Sequence, residues 1–351
     1  MVFLALLLDI PPIMYSFLRG DFVSNNKNLA RAKKEKNDEF YTKILNIDNE
    51  VRHYKKHFKD KVILCNCNDD ETKNFTRYFW LNFEFFGPKR LLCISFNFEN
   101  EGAYYIDINR QNFFLPSYDF VAKDFNWCEA DKFKKPLKGN GDFRSQECID
   151  LLKQADIVVT NPPFSLFREY IAQLVEYNKK FLIMGNINAV TYKNVFPLIK
   201  ENKIWLGSGI GSSNIEFMVP DSYDLFDSSC RIDNNGKKFI KVSGVRWFTN
   251  LDIEKRHEDL ILFRKYNPED YPEYDNYDAI NINKIVDIPI DYDGVMGVPI
   301  TFLDKYNPEQ FEIAGLDRYI GDNPRYGHRF SINGKECYAR ILVRKKFNEV
   351  M

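Results

Sequence analysis

The 351-residue sequence is poor in the residues from which most metal and nucleotide sites are built. It has four histidines, and its seven cysteines form no Cys-x-x-Cys pair, which argues against a metal site and for reduced thiols. Lysine and arginine total 49 against 50 acidic residues, so overall charge does not indicate a nucleic-acid-binding protein. Any surface that binds nucleic acid must therefore be local.

The sequence also lacks an apolar run long enough to cross a membrane. Residues 1–18 are apolar, but Asp9, Pro11 and Pro12 interrupt them, and the stretch lacks the basic start and the cleavage site of a signal peptide. We therefore expect no membrane association and a cytoplasmic protein. Residues 1–26 are treated as an unassigned N-terminal extension.

What is present centres on four residues, Asn161-Pro162-Pro163-Phe164. They follow an apolar run, residues 156–160, which predicts a buried strand of a parallel sheet. The two prolines fix φ and carry no N–H, so the Asn161 side chain and the nearby carbonyl groups remain free hydrogen-bond acceptors. Ser165 is then expected to cap a helix. Ligands of open α/β sheets bind at such strand ends.

Acceptors beside an aromatic ring suit the activation of an exocyclic amino group. Such a group is a poor nucleophile because its lone pair is delocalised into the base, and accepting its hydrogen bonds returns the pair to nitrogen. Asn161 and the Pro162 carbonyl would be the acceptors, and Phe164 would stack on a base extruded from the duplex. The motif resembles the (Asp/Asn)-Pro-Pro-(Phe/Tyr/Trp) signature of S-adenosylmethionine-dependent amino-methyltransferases. The alternative is a loop that only ends a strand.

Two other stretches are candidates for a cofactor site. Phe40 and Tyr41 stand at the start of a helix predicted to reach Phe58, where they would wall a cofactor pocket. Residues 139–145 predict a turn and then a helix, capped by Ser145, that runs to about residue 155. In this turn, Asp142 would accept a hydrogen bond from an adenine amino group, with Phe143 against the ring. An Asx-type turn that caps the next helix is an equal alternative.

A glycine-rich turn is missing where a nucleotide-type cofactor usually meets the first strand. Residues 61–66 predict that strand, which ends in Cys65 and Asn66 and continues into a polar loop with Asp69 and Asp70. The carboxylates of this loop would bind the cationic end of S-adenosylmethionine, and an ordinary exposed loop is an equal alternative. The second strand, residues 90–96, does not end in the acidic residue that normally holds a ribose.

The alternation of strands and helices ends near residue 220. We therefore predict a catalytic domain at residues 27–220 and a smaller, irregular region at residues 221–351, with a β-hairpin at Asn333-Gly334. The last strand, residues 339–343, is a candidate to return to the main sheet.

Taken together, these stretches resemble the EcoRI-type adenine-specific DNA methyltransferases. The match runs from about residue 28 to near the C-terminus and is strong at residues 38–42, 141–145, 155–170 and 294–302. It implies an α/β fold, with a Rossmann-like S-adenosylmethionine-dependent methyltransferase sheet and a smaller C-terminal target-recognition region. S-adenosyl-L-methionine would be the methyl donor, and N6 of a flipped adenine in duplex DNA the acceptor.

The resemblance also assigns roles to residues of this sequence. The catalytic loop would be Asn161, Pro162, Pro163 and Phe164, and the cofactor contacts would be Phe40, Tyr41, Cys65, Asn66, Asp69, Asp142 and Phe143. The chain departs from the family pattern at Asn68, where the family has the first of two aspartates. Asp69 is therefore retained as the acidic cofactor contact.

The leading interpretation is a monomeric, site-specific adenine DNA methyltransferase of a restriction-modification system, with a cognate endonuclease that acts on the same site. Two alternatives are kept open. One is a methyltransferase that acts on a protein glutamine. The other is a non-catalytic DNA-binding protein whose altered loop no longer holds the cofactor.

Overall fold

A computed structural model describes residues 40–68, 73–97, 102–115, 118–119, 124–125, 127–209, 215–221, 223–224, 229–320 and 329–346. In these ranges the strands are β1 (Val62–Asn68), β2 (Arg90–Ser95), β3 (Tyr104–Asn109), β4 (Tyr118–Asp119), β5 (Asp124–Phe125), β6 (Lys134–Pro136), β7 (Ile157–Thr160), β8 (Lys180–Asn186), β9 (Trp205–Leu206), β10 (Ile215–Val219), β11 (Cys230–Ile232), β12 (Lys238–Val242), β13 (Val245–Thr249), β14 (Glu273–Tyr274), β15 (Tyr277–Asn281), β16 (Met296–Pro299), β17 (Phe311–Leu316), β18 (Ser331–Ile332), β19 (Lys335–Glu336) and β20 (Arg340–Lys345). The α-helices are α1 (Ile44–Val51), α2 (Lys55–Phe58), α3 (Asn74–Leu81), α4 (Phe83–Phe86), α5 (Trp127–Ala130), α6 (Gln146–Gln154), α7 (Phe167–Glu176) and α8 (Phe196–Lys200). Short 3-10 helices lie at Arg52–Tyr54, Asp131–Phe133, Ile187–Thr191, Glu254–His257, Ile285–Asp287, Ile300–Lys305 and Asp317–Tyr319.

An eight-stranded sheet forms the centre of the molecule, in the order β6-β3-β2-β1-β7-β8-β13-β9. The four strands β2, β1, β7 and β8 run parallel, and the strands outside them pair antiparallel. The α/β prediction is confirmed. Because β1, β2 and β7 are parallel neighbours, their carboxyl ends meet at one edge of the sheet, which we call the carboxyl edge.

The parallel strands are buried on both faces, as the short β-branched run before Asn161 predicted for β7. In β7, Ile157 and Val159 pack into one apolar cluster, and Val158 packs into the other. Helices α1 and α3 contribute side chains to the first cluster, and α6 and α7 to the second. The two-residue period of the strand therefore divides its side chains between the two layers.

The predicted helices are confirmed in place but differ at their ends. Helix α6 begins after Ser145, whose side chain accepts a hydrogen bond from the Cys148 N–H at 3.3 Å, as predicted. The helix expected to start near Phe40 begins only at Ile44, because Tyr41 pairs with the backbone of Met218 and keeps the preceding chain extended. No helix in the described part of the chain is long and apolar enough to span a bilayer.

A second sheet forms the C-terminal part, in the order β14-β15-β16-β20-β17. The second sheet contains β20, so the prediction that the last strand returns to the main sheet is wrong. The strand that joins the main sheet is β13, which pairs antiparallel with β8. Strand β20 is buried on both faces: Ile341 and Val343 face the cluster shared with the main sheet, and Leu342 faces a separate cluster with Phe330. An apolar run of this kind fits either sheet, so the sequence could not decide between them.

The predicted hairpin is confirmed between β18 and β19. Asn333 and Gly334 have φ values of 50° and 74°, which is the left-handed region that a tight two-residue turn requires. The Asp275 carboxylate accepts hydrogen bonds from both of their N–H groups, at 3.0 and 2.9 Å. The hairpin is thereby fixed to the start of β15.

Asp317 gives the C-terminal part a pH dependence. It is 3% exposed, and among the described residues its carboxylate makes no hydrogen bond to another side chain. Burial raises its pKa to about 6, and the nearby Arg318 only partly offsets this shift. Since the folded protein holds the proton more tightly than the unfolded chain, this group's stabilisation is present at low pH and is lost as pH rises through about 6.

We predict that Asp317→Asn becomes more stable relative to the native protein as pH rises. The free energy of unfolding of the variant minus that of the native protein should increase by roughly 1–3 kcal/mol between about pH 4 and pH 8. Urea unfolding across that range measures it. Asp275→Asn is the control of opposite sign, because hydrogen bonds from Gly334 and Asn333 lower the Asp275 pKa. A difference between Asp317→Asn and the native protein that does not vary with pH would contradict the assignment.

Candidate active site

The motif at residues 161–164 lies at the carboxyl edge, directly after β7. Residues 161–163 have no regular structure, and a turn follows in which the Leu166 N–H donates to the Pro163 carbonyl at 3.0 Å. Helix α7 then begins at Phe167 with Leu166 in the cap position and no side-chain cap bond. The prediction that Ser165 caps this helix is wrong, because the turn moves the start of the helix along the chain.

Asn66 joins three elements beneath the motif. It is 3% exposed, its backbone carbonyl accepts from the Thr160 hydroxyl at the end of β7, and its side-chain carbonyl accepts from the Tyr170 hydroxyl in α7. The strand before the motif and the helix after it are thus tied to β1. The sequence singled out Asn66 as a cofactor contact, but its side chain is already bonded within the protein.

The Asn161 side chain is held by one end only. Its Nδ2 donates to the Phe40 carbonyl at 2.8 Å and to Thr42 Oγ1 at 3.1 Å. A carbonyl oxygen can only accept, so the nitrogen must face Phe40 and the oxygen must face away. Asn161 Oδ1 is buried and has no hydrogen-bond partner among the residues that the structure describes.

A buried hydrogen-bond acceptor without a partner destabilises the folded protein. Leaving such a group unsatisfied costs about 1–3 kcal/mol, and most buried side-chain polar atoms in proteins are paired. Here the unpaired atom belongs to the side chain that the sequence placed first among the catalytic candidates. The oxygen is therefore available to accept a hydrogen bond from a ligand.

Aromatic side chains pack beside this acceptor. Phe40 is 5% and Phe164 is 3% exposed, and their rings meet edge to face with centroids 5.7 Å apart. Phe40 also contacts Phe217 of β10 at 5.6 Å. Tyr41, the other aromatic predicted to line a cofactor pocket, pairs with Met218 of the same strand. Residues 40 and 41 therefore lie beside the motif, as the predicted pocket requires.

The end of β1 replaces the missing glycine turn with a bulge. The pairing of β1 with β2 shifts register between Cys65 and Asn68, and Cys67 has φ of 52°, which is uncommon for a residue with a side chain. Cys65 is fully buried, and burial raises the pKa of its thiol. Asp69, the acidic cofactor candidate, lies outside the described residues.

The turn at residues 139–145 packs on the end of β2. Gly141 has φ of 81°, and a Cβ at this position would overlap the carbonyl oxygen of Ser95. The Asn97 N–H donates to the Asn140 carbonyl at 2.9 Å, so the turn and the strand end are joined. This contact brings Asp142 and Phe143 to the carboxyl edge.

Asp142 forms the Asx turn that the sequence offered as an alternative. Its Oδ1 accepts from the Arg144 N–H at 2.8 Å, and the Arg144 guanidinium binds both carboxylate oxygens at 2.9 and 2.6 Å. Hydrogen bonding from Arg144 lowers the Asp142 pKa, so the carboxylate is charged at neutral pH. Phe143 is buried against Tyr170, with ring centroids 4.9 Å apart.

Two buried polar residues were missed by sequence reasoning. One is Thr42, which bonds to Asn161. The other is Glu50, which is fully buried in α1 and accepts hydrogen bonds from Tyr54 and from the Ser208 and Gly209 N–H groups. The signal for Glu50 was available, since it lies three residues after Ile47 and four before Tyr54, within the apolar stripe of the helix.

Comparison with known proteins decides the family. The family described as adenine-specific methyltransferase EcoRI matches residues 28–346. The chain belongs to this family. The resemblance drawn from the motifs is therefore confirmed, over nearly the range that the motifs indicated. The glutamine-methylating and non-catalytic alternatives are not favoured by this membership.

Similar proteins agree with the family. The Type II methyltransferase M.EcoRI of Escherichia coli is 49% identical over 326 residues, which covers 92% of this chain and 98% of that protein. A Type II methyltransferase of Mycoplasma genitalium is 41% identical, over 90% of this chain and 98% of that protein. The Type II methyltransferase M.MpnI of Mycoplasma pneumoniae is 39% identical, over 91% of this chain and 98% of that protein. No solved structure matches this EcoRI-family methyltransferase significantly.

The packing at Gly141 generates a prediction. We expect Gly141→Ala to lower both the melting temperature and the methyl-transfer rate of this EcoRI-family protein, because the new methyl group displaces the turn from β2 and moves Asp142 with it. Gly236→Ala is a matched control, since Gly236 has nearly the same φ, 80°, and no atom lies within 4 Å of the place that its new methyl group would take. Equal losses in the two variants would mean that φ strain alone matters and that contact with Ser95 does not.

Proposed function

We propose that the protein transfers a methyl group from S-adenosylmethionine to N6 of an adenine flipped out of duplex DNA. The observation that carries this proposal is the buried, unpaired Oδ1 of Asn161. It is a fixed acceptor at the carboxyl edge of a parallel sheet, where ligands of such folds bind. Family membership supports the class of reaction.

The chemistry required of the protein is modest. As Asn161 Oδ1 accepts a hydrogen bond from the adenine amino group, electron density returns to N6 and the nitrogen becomes a better nucleophile. The Pro162 carbonyl is the second acceptor in this proposal, and Pro162 and Pro163 keep the loop rigid. An oriented acceptor in a dry site stabilises charge that develops at N6 during transfer.

The surrounding aromatics exclude water and contact the base. Phe164 would stack on the flipped adenine, since enzymes that modify a base hold it between apolar faces. Its ring is packed against Phe40 in the described structure. A base can therefore reach Asn161 Oδ1 only when the side chains covering that oxygen move apart.

The residues beside the loop fit the methyl donor, which supplies an electrophilic methyl group on a cationic sulfur. The carboxyl edge has the acidic side chain of Asp142 and the buried rings of Phe40 and Phe143, with Tyr41 close by. Cys65 and Asn66 would contribute backbone groups, because the first is fully buried and the second is bonded to Tyr170. Asp69 remains in the proposal on its sequence position alone. The parallel strands would then be the Rossmann-like part of the sheet.

The wider assignments follow from this activity. Residues 27–220 would hold the cofactor and the catalytic loop, and residues 221–351 would provide target recognition. Duplex DNA is the proposed partner, a restriction endonuclease for the same site accompanies it, and the protein acts as a monomer in the cytoplasm. Type II naming of the relatives supports the restriction-modification setting.

We predict that Asn161→Ala lowers methyl transfer by about 100-fold or more, because a preorganised electrostatic contact to the reacting group is typically worth that much. Binding of S-adenosylmethionine, measured by calorimetry, should change little. Asn250→Ala is the matched control: that amide also makes two hydrogen bonds, accepting from the Phe181 N–H and donating to the Lys179 carbonyl, both at 2.9 Å, but it lies at the opposite end of β8. It should lose stability and retain transfer.

Transfer of a labelled methyl group to unmethylated genomic DNA, with the modified bases mapped by sequencing, tests the acceptor. Methylation confined to N6 of adenine within one short sequence is the expected result. Transfer to cytosine or to protein, or normal transfer by Asn161→Ala, would overturn the proposal.

A further inference from the structure

We propose that Thr42 is a positioning residue for methyl transfer, and that its hydroxyl group fixes the orientation of the Asn161 amide. This inference rests on the proposed function, in which Asn161 Oδ1 accepts a hydrogen bond from adenine N6. It adds a residue outside the Asn-Pro-Pro-Phe loop, from a segment 119 positions earlier in the chain.

The Thr42 hydroxyl donates a hydrogen bond to one neighbour and accepts a hydrogen bond from another. The side chain is buried, and its hydroxyl lies 3.5 Å from Met184 Sδ and 3.1 Å from Asn161 Nδ2. A hydroxyl has one hydrogen to donate and two lone pairs to accept with. Since the hydrogen points to the sulfur of Met184, the lone pairs are left for Asn161 Nδ2.

This direction determines which end of the amide faces the substrate. Nδ2 has two acceptors, Thr42 Oγ1 and the Phe40 carbonyl. If the amide rotated by half a turn, Oδ1 would face the Phe40 carbonyl and the nitrogen would point toward the base. A nitrogen that carries two hydrogens cannot accept from adenine N6. The arrangement therefore favours the productive orientation.

Thr42 is itself held in place. Its backbone carbonyl accepts from Asn74 Nδ2 at 2.9 Å, and the preceding residue, Tyr41, forms two backbone hydrogen bonds with Met218, at 2.9 and 3.1 Å. The hydroxyl is thus supported by α3, β8 and β10, which are distinct elements of the fold. Such support gives a positioning contact the precision that catalysis needs.

The test compares Thr42→Val with Thr42→Ser in the full-length protein. Valine keeps the shape and removes the hydroxyl, so kcat should fall about three- to tenfold, the value of one hydrogen bond. KM for DNA and for S-adenosylmethionine should stay within about twofold. Serine keeps the hydroxyl and should restore kcat to near the native value. Thr42→Cys, a weaker acceptor, should fall between the two and serves if the valine variant does not fold.

Thr249→Val is the matched control for stability. The Thr249 hydroxyl is also fully buried, donates to the Phe181 carbonyl at 2.6 Å and accepts from the Leu251 N–H at 3.0 Å. It lies on β13, two strands from β7. Its loss should lower the melting temperature and leave kcat unchanged, so an effect of Thr42→Val on kcat is not a general effect of removing a buried hydroxyl.

The outcomes separate this inference from the proposed function. Native kcat in Thr42→Val, together with an inactive Asn161→Ala, would overturn the role of Thr42 and leave the proposed function intact. A raised KM for S-adenosylmethionine at native kcat would overturn it too, since Thr42 would then contact the cofactor. Normal transfer by Asn161→Ala would remove the basis of both.

Discussion

The site depends on one constrained side chain, the Asn161 amide. Its nitrogen is held by two acceptors, and its oxygen is buried without a partner in the described part of the chain. Every element around the motif serves this arrangement. The strand before it and the helix after it are bonded to Asn66, and the segment at residues 40–42 supplies the acceptors. The unpaired oxygen costs stability, and folded proteins retain such costs mainly at functional sites.

The proposed cofactor site at the carboxyl edge has no glycine-rich turn. A bulge at Cys67, in the left-handed region, lies near the end of β1, and the turn at Gly141 packs against the end of β2. A close approach of two backbones is therefore made at this later turn. Asp142 reaches the edge by this route, with its charge balanced by Arg144. Any ligand group that binds Asp142 must therefore share its carboxylate with a guanidinium.

The C-terminal part is integrated with the main sheet. Strand β13 belongs to the eight-stranded sheet, and Arg246 on that strand forms a buried, two-bonded ion pair with Asp304, at 2.7 and 2.9 Å. Residues of β16, β17 and β20 share an apolar cluster with α6 and α7. The C-terminal part is therefore joined to the strand that precedes the motif, because β13 pairs with β8 and β8 pairs with β7.

Local sequence determined the elements whose signals are local: the buried strand before Asn161, the Ser145 cap, the hairpin at Asn333-Gly334 and the motifs of the family. Hydrophobic period, capping chemistry and turn residues act over a few positions, so they can be read directly. Only the tertiary structure decided that β13 joins the main sheet and that Thr42 and Phe40 orient the Asn161 amide. The contacts of Asn161 with Phe40 and Thr42 join residues more than 100 positions apart in the chain. Pairing at that range leaves no periodic pattern in the sequence.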